Sequence, residues 1–414
     1  MASLIQEAGP ISGGAVGGYS HCSSSFACPA SRPALPEGPS LDLGIYIHIP
    51  FCVRKCLYCD FNTSVAAAHV QEAYVIGLCQ EIRTSPQAGR RAATVFFGGG
   101  TPSEMEIEQI ERVTAALRET FPPLPDAEWT LECNPGTVTR EKLAAFRALG
   151  FNRISIGVQS FHDHHLRALG RIHNAREAAE VVAWARQAGF GNLNLDLIFA
   201  LPEQDLAEWQ SDLCRALELG PEHLSLYQLT IEEKTEFGRR HAAGRLPTID
   251  EDLAADMYEF ALDTLAAAGY ERYEISNWAR PGCRCRHNLR YWRNEEYLGF
   301  GLSAASYVGG TRWTNIARQP EYLARLRAGR PVCESAERLG GADAAGEAMM
   351  LGLRVAEGVD LGEIERRYGV SPRLYAERID RFREIGLLAH QDGRIFLTRR
   401  GTLLANLVCA EFLD

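Results

Sequence analysis

The 414-residue sequence has no apolar run approaching ~18 residues, so no membrane-spanning helix is expected. It has no excess of positive charge either: 43 Lys and Arg stand against 53 Asp and Glu, a formal net charge of −10. That balance argues against a chain whose main business is coating nucleic acid or an anionic membrane, while leaving room for a local basic patch. Residues 1–40 lack the charged start and apolar stretch of a secretory leader. The twelve cysteines are spaced too unevenly for a disulfide framework. Together these absences predict a protein of the reducing cytoplasm, where clustered cysteines more often hold metal than pair with each other. Residues 1–40 are rich in Gly, Ser, Pro and Ala and are expected to be disordered, with Cys22 and Cys28 incidental. What is present, 46% apolar and 23% charged residues, is ordinary for a globular chain long enough for one large α/β domain and a smaller appendage.

From Leu41 the pattern becomes regular. The apolar run 45–49 has the β-branched and aromatic residues of a strand, and Pro50 stops it, so the cysteine-bearing segment beyond Pro50 lies on a loop at a strand's end. Further strands are predicted at 94–97, 129–133, 153–158, 192–199 and 224–229. Helices at about 66–83, 103–120, 138–149, within 163–188 and at 205–218 alternate with them. Six strand-then-helix units predict a parallel α/β sheet. A doubly wound sheet satisfies this pattern; a partial (β/α)6 TIM-like barrel fits it better. Parallel barrels place chemistry at the carboxyl ends of their strands. The unusual residues recur there: the cysteines after the first strand, the glycine run 98–100 after the second, Glu132 and Asn134 after the third, Gln159 and Ser160 after the fourth, and Asp196 on the fifth.

Cys52, Cys56 and Cys59 are spaced C-x3-C-x2-C, three thiols within eight positions. A structural zinc site wants a fourth ligand, and the residue two after Cys59 is Phe61. One reading is a zinc ion completed by a distant Cys or His. The sharper one is an iron–sulfur cluster with one iron left open, walled by Phe51, Leu57, Tyr58 and Phe61. His162, His164 and His165 fall where a helix begins, and solvated or capping roles are expected of them ahead of metal ligation.

This stretch resembles the radical S-adenosylmethionine superfamily. More narrowly, the segments Y-I-H-I-P-F-C from Tyr46, F-G-G-G-T-P-S from Phe97, E-C-N-P-G from Glu132, I-S-I-G-V-Q-S-F from Ile154, L-G-R-I-H from Leu169 and L-D-L-I-F-A-L-P from Leu195 are similar to the oxygen-independent coproporphyrinogen III oxidase family. Within it they look most like the heme chaperone branch. The resemblance runs from about Leu43 to the C-terminus. It implies a 4Fe-4S cluster on Cys52, Cys56 and Cys59, with S-adenosyl-L-methionine chelating the open iron. It also implies cofactor contacts from Tyr46, Tyr58, Gly99, Gly100, Thr101 and Glu132, and a further S-adenosylmethionine position lined by Gln159, Arg171 and Asp196. The glycines are expected to let the backbone approach the ligand and offer it N–H donors. Taken singly, Glu132 and Asp196 could be helix caps and Arg171 a surface ion-pair residue; the ordered set favours the functional reading.

A second stretch, 273–293, packs five arginines into its last fourteen residues, with His287, Tyr291 and Trp292 beside them. Guanidinium groups suit carboxylates, the aromatics offer flat apolar surface, and a histidine can ligate iron, so a heme would satisfy all three features. The alternative is a hydrogen-bonded structural histidine among ion pairs. The H-N-x-x-Y-W pattern from His287 to Trp292 matches the heme chaperone branch and favours heme. Beyond about residue 330, helices near 343–356, 360–368 and 372–385, a hairpin at 387–397 around Asp392-Gly393 and a last helix predict a winged-helix-like α+β domain. The expected division is thus a tail at 1–40, a barrel with its heme-linked extension at 41–330 and a C-terminal domain at 331–414. The C-terminal domain has no basic stripe, so nucleic acid is not expected as its partner.

Three functions are compatible with these features. The first is a chaperone that binds heme and passes it to recipient apo-heme proteins such as respiratory enzymes, needs a reductant for its cluster and leaves room for a homodimer. The second is a coproporphyrinogen III dehydrogenase. The third is a radical enzyme acting on RNA. Phe61, standing where the dehydrogenase pattern usually carries another cysteine, and the H-N-x-x-Y-W pattern favour the first.

Overall fold

A computed structural model describes residues 42–247 and 250–413; the expected tail at 1–40, with Cys22 and Cys28, lies outside the described residues. The chain alternates β1 (Leu43–Ile49), α1 (Ala68–Arg83), β2 (Ala92–Gly99), α2 (Ile107–Thr120), β3 (Pro123–Cys133), α3 (Arg140–Ala148), β4 (Arg153–Gln159), α4 (Asp163–Leu169), α5 (Ala175–Gln187), β5 (Leu193–Phe199), α6 (Leu206–Glu218) and β6 (His223–Gln228). Then come α7 (Glu236–Ala242), α8 (Glu251–Ala267), β7 (Glu271–Arg272), β8 (Asn277–Ala279), α9 (Arg286–Trp292), β9 (Tyr297–Phe300), β10 (Ala305–Val308), β11 (Thr311–Asn315), α10 (Gln319–Arg327) and β12 (Cys333–Arg338).

Strands β1 to β6 lie side by side in chain order, each parallel to the next. A doubly wound sheet reverses its strand order at a switch point, so this sheet is wound in one sense, as in a barrel. Closure is partial. β9 pairs parallel with β1 at one edge and continues antiparallel into β10, β11 and β12, while β8 and β7 extend the other edge. The large sheet therefore runs past residue 330 and takes in β12.

Alternation along the strands sorts the residues. Ile45, Ile47, Val95, Phe97, Trp129, Leu131, Ile154, Ile156, Leu195 and Leu197 form the core shared with the helices. The intervening positions, among them Tyr46, His48, Thr94, Glu132, Arg153, Ser155, Asn194 and Asp196, are polar and occupy the other face. Helices α3, α5 and α6 start on side-chain caps: the Thr139 hydroxyl accepts from Lys142 N–H, and Asn174 with Glu177 and Asp205 with Glu208 form capping boxes.

The remainder folds as α11 (Gly341–Leu353), β13 (Val359–Asp360), α12 (Leu361–Tyr368), α13 (Ala376–Glu384), β14 (Leu388–Gln391), β15 (Arg394–Leu397), α14 (Arg399–Leu403) and α15 (Ala405–Ala410), with an antiparallel sheet in the order β13-β15-β14. The expected helices and hairpin are there; the two-residue β13 was too short to signal itself. A second core joins Met349, Tyr375, Phe382 and Ile395 of this region to Tyr273, Cys285, Leu289 and Trp292, so α9 is the joint between the two parts.

Candidate cofactor site at the strand ends

The backbone just past β1 is pinned on three sides. Cys52 N–H donates to the Ser64 carbonyl (3.0 Å), Leu57 N–H to Leu169 (3.0 Å), and the Leu57 carbonyl accepts from Phe237 N–H (2.9 Å). These bonds hold a loop without regular structure against α4 and α7. Its three cysteines are free thiols and half-buried. Thr101 Oγ donates to Cys52 Sγ (3.4 Å) and Arg171 Nη1 to Cys56 Sγ (3.5 Å). Hydrogen bonds to sulfur favour the thiolate form and tune a bound metal centre. Burial pushes the free Cys59 thiol up to about 12 and raises Cys52, so it is a bound cation that must draw the protons off.

Arg171 is the hinge of this arrangement. Its Nη2 donates to Asn134 Oδ1 (2.5 Å) and the Gly157 carbonyl (2.6 Å), and Asn134 Nδ2 donates in turn to Thr101 Oγ (2.9 Å). Burial lowers the affinity of Arg171 for its proton, yet the neighbouring Tyr58 and Cys56 outweigh that and hold it charged. Its Nε is buried with no partner. Gln159, at φ +70° beside a register shift in the β4–β5 pairing, closes the same group. A Cβ at Gly157 would lie 2.7 Å from Asn134 Oδ1, 3.0 Å from Gln159 Nε2 and 3.2 Å from Arg171 Nη2. The arginine is thus half-buried and central, far from a surface ion-pair role.

Glu132 Oε2 accepts from Gly99 N–H (3.0 Å), and Asp196 accepts from Ser155 Oγ (3.1 Å) and Asn194 Nδ2 (2.7 Å). Burial, then the facing Asp196, pushes Glu132 up to about 8; burial likewise raises Asp196. Neither carboxyl caps a helix. Tyr46 OH lies 3.0 Å from His48 Nδ1, whose Nε2 reaches the Asn62 carbonyl (3.0 Å). His48, Ser155 and Asn194 join this group without having been singled out in the sequence, while Asn134 had been noted at the end of its strand. Their signal was the polar alternate position on an otherwise apolar strand or at its end.

The glycine run acts differently from expectation. Gly99 N–H is committed to Glu132, Gly100 N–H to the Ile49 carbonyl (2.8 Å) and Thr101 N–H to Phe51 (2.7 Å), so none of the three is left to offer a ligand. What the glycines provide is closeness. Gly99 sits at φ +108° with the His48 ring 2.4 Å from where a Cβ would stand, and a Cβ at Gly100 would meet the Phe51 carbonyl at 2.6 Å. The expected apolar wall is also corrected in one member: Phe51 is buried and Leu57 and Tyr58 partly so, but Phe61 is 41% exposed, because the loop turns outward there.

Away from the strand ends, His287 is buried, with Nδ1 2.8 Å from Thr94 Oγ, Nε2 2.9 Å from Tyr291 OH, and its ring stacked on Phe96 at 5.2 Å. Trp292 is buried beneath Arg354 (4.9 Å), and Tyr291 is buried as well, so neither offers the flat surface expected of it. Arg284, Arg286, Arg290 and Arg293 pair with Glu357, Asp126, Glu295 and Glu357, and Arg280 stacks over Tyr270. The geometry of this stretch is that of a hydrogen-bonded histidine among ion pairs. The other histidines also depart from expectation: His162 sits at the N-cap of α4 without a side-chain cap bond, and His165 is buried rather than solvated.

Three thiols, two of them with donors aimed at their sulfurs, and a buried guanidinium nitrogen left unpartnered among them, fit a cluster held by three cysteines. Comparison with known proteins agrees with this chemistry. Residues 46–213 match the radical SAM superfamily and residues 340–404 the HemN C-terminal domain. The chain is 37% identical to the heme chaperone HemW of Bacillus subtilis over 89% of its own length and 98% of that protein, and 44% identical to HemW of Escherichia coli over 64% and 70%. Its fold superposes on the radical SAM enzyme coproporphyrinogen III oxidase (HemN) of Escherichia coli with a TM-score of 0.79 at 27% identity, covering 90% of each chain. At 37% identity over nearly the whole of the Bacillus subtilis protein, the chain belongs to the HemW heme chaperone family of radical SAM proteins.

Proposed function

We propose that this protein is a heme chaperone: it binds a 4Fe-4S cluster through Cys52, Cys56 and Cys59, S-adenosylmethionine beside it and heme, and delivers the heme to apo-proteins such as respiratory enzymes. The observation that carries this reading is the near end-to-end likeness to HemW, C-terminal region included. Bound together, cluster and S-adenosylmethionine supply one-electron chemistry. The chain's own part is to hold and tune. Thr101 and Arg171 stabilise negative charge on two sulfurs, the glycine run lets β2 close on the cysteine loop, and Glu132, pushed up to about 8 by burial, keeps a proton in the interior. A one-electron reductant is therefore a partner, and the cytoplasm supplies the reducing setting for free thiols; no helix among the described residues is long and apolar enough to cross a membrane.

The likeness to HemN favours a second reading, coproporphyrinogen oxidation. Anaerobic incubation of the cluster-loaded protein with coproporphyrinogen III, S-adenosylmethionine and dithionite, alongside a heme titration, separates the two. The expected result is stoichiometric heme binding and no protoporphyrinogen; protoporphyrinogen formation replaces the first reading by the second. Light scattering of the loaded protein decides whether two copies associate.

A further inference from the structure

Outside the strand-end site, three histidines gather on one carboxylate. His162 precedes α4, His164 and His165 lie in its first turn, and Glu208 faces them from the first turn of α6. His164 Nε2 is 3.0 Å from Glu208 Oε1, and His165 Nε2 is 3.1 Å from Oε2. Asp205 N–H also donates to Oε2 (3.3 Å), and His162 Nε2 lies 3.1 Å from the Glu208 carbonyl, with Asp212 Oδ1 at 3.8 Å. The rings of His164 and His165 stand 4.0 Å apart. Donor atoms of His162, His164 and Glu208 all fall within 4.8 Å of one another.

We propose that His162, His164 and Glu208 bind a divalent transition-metal ion of the zinc class, with a fourth position left to water. Two imidazoles and a carboxylate are a zinc-type donor set. The 3.0 Å between His164 and Glu208 is close to the ~3.3 Å edge of a tetrahedron built on ~2 Å metal–ligand bonds. A metal-bound histidine commonly passes its other ring N–H to a carbonyl or carboxylate, which fixes the tautomer. The Glu208 carbonyl, 3.1 Å from His162 Nε2, orients this ring in the same way. Glu208 is steadied likewise, its second oxygen held by His165 and the Asp205 N–H. The start of α4 contributes nothing, since helix N–H groups disfavour a cation; the site rests on side chains from two separate elements. An ion here braces α4 to α6, and α4 leads directly to Arg171, the donor to Cys56.

The test uses the full chain with its cluster loaded under anaerobic conditions, so that the loop cysteines are occupied. Calorimetric titration with Zn2+ is expected to show one ion per chain, with a rise in unfolding temperature at saturation. His164→Ala and Glu208→Gln each weaken binding by at least ~10-fold, and His165→Ala, acting through Glu208, by less. His164 is more than half exposed, so its variant folds; an unchanged metal-free unfolding temperature checks this. The difference spectrum between Co2+-loaded and metal-free protein, which subtracts the cluster's own absorbance, carries no added thiolate charge-transfer bands. The proposal is overturned by absence of stoichiometric zinc, by affinity unchanged in His164→Ala, or by a thiolate–cobalt band, which puts the ion on a cysteine instead. Heme titration of the same variants is expected to match the parent, which keeps this result separate from the chaperone reading.

Discussion

The loop bearing Cys52, Cys56 and Cys59 and the helix bearing His287 differ in how their polar groups are spent. On the loop, three thiols are half-buried, donors point at two of the sulfurs, and Arg171 Nε has no partner. On α9, both nitrogens of His287 are engaged, the backbone N–H groups of Arg286 and His287 donate to the Glu128 carboxylate, and Tyr291 and Trp292 are buried. Trp292 Nε1 is the one orphan there. A group that awaits a ligand keeps valence in reserve; a joint uses it up. The first region is arranged to receive something, and the second to fasten the barrel to the C-terminal region. Heme ligation by His287 therefore requires α9 to open first.

The comparison breaks most decisively at a sulfur. Cys56→Ser is expected to abolish cluster assembly, read as loss of visible charge-transfer absorbance and iron content after anaerobic reconstitution, with no S-adenosylmethionine cleavage. His287→Ala is expected to assemble the cluster normally. If both variants lose the cluster equally, the two regions are not separate. Next in size is Trp292→Ala, an emptied site in a shared core, which costs about 3–5 kcal/mol of unfolding free energy in a denaturant titration. A cost under about 1 kcal/mol would show a joint already loose.

A pH series sharpens the same contrast. Burial, then Arg290, lowers the His287 pKa well below its ordinary 6.5. The folded state thus refuses a proton that the unfolded chain accepts, and stability is lost as pH falls through the unfolded value. Between pH 7.5 and 5.5 this one residue should remove about 1.4 kcal/mol. His287→Gln, compared with the parent by denaturation at several pH values, should flatten that fall by the same amount. An unchanged slope would mean that the ring is protonated inside the fold, and hence not sealed.

Much of this was legible from residue type and spacing. The six strands, their order and the chemistry at their ends follow from apolar runs that Pro50 and the glycine run interrupt and from polar residues that break the pattern at fixed places. The C-terminal hairpin announced itself through Asp392-Gly393. What could not be read was direction. Five arginines beside His287 and Trp292 look alike whether they face an acidic ligand or Glu357, Asp126 and Glu295, because their partners lie far off in sequence and only folding chooses between them. Glu208 is silent for the same reason: as a capping-box residue it looks fully explained, and its meeting with three histidines 43 to 46 positions away is a property of packing. The reserve on Arg171 was equally hidden, since an arginine two residues after a helix reads as surface.

Phe61 gives the smallest effect and the narrowest test. As a residue two positions after the last cysteine it invites a place in the cluster's apolar wall, but it is 41% exposed and its carbonyl accepts from the exposed Lys55. An exposed side chain with no buried partner contributes within about 0.5 kcal/mol, so Phe61→Cys should leave the unfolding midpoint and the cluster's absorbance unchanged. A thiol there, beside three that already suffice, supplies no missing ligand, and coproporphyrinogen oxidation should not appear. Were Phe61→Cys to gain that activity, the separation of chaperone from dehydrogenase would lie in this one exposed position of the cysteine loop, and the joint at α9 would have no part in it.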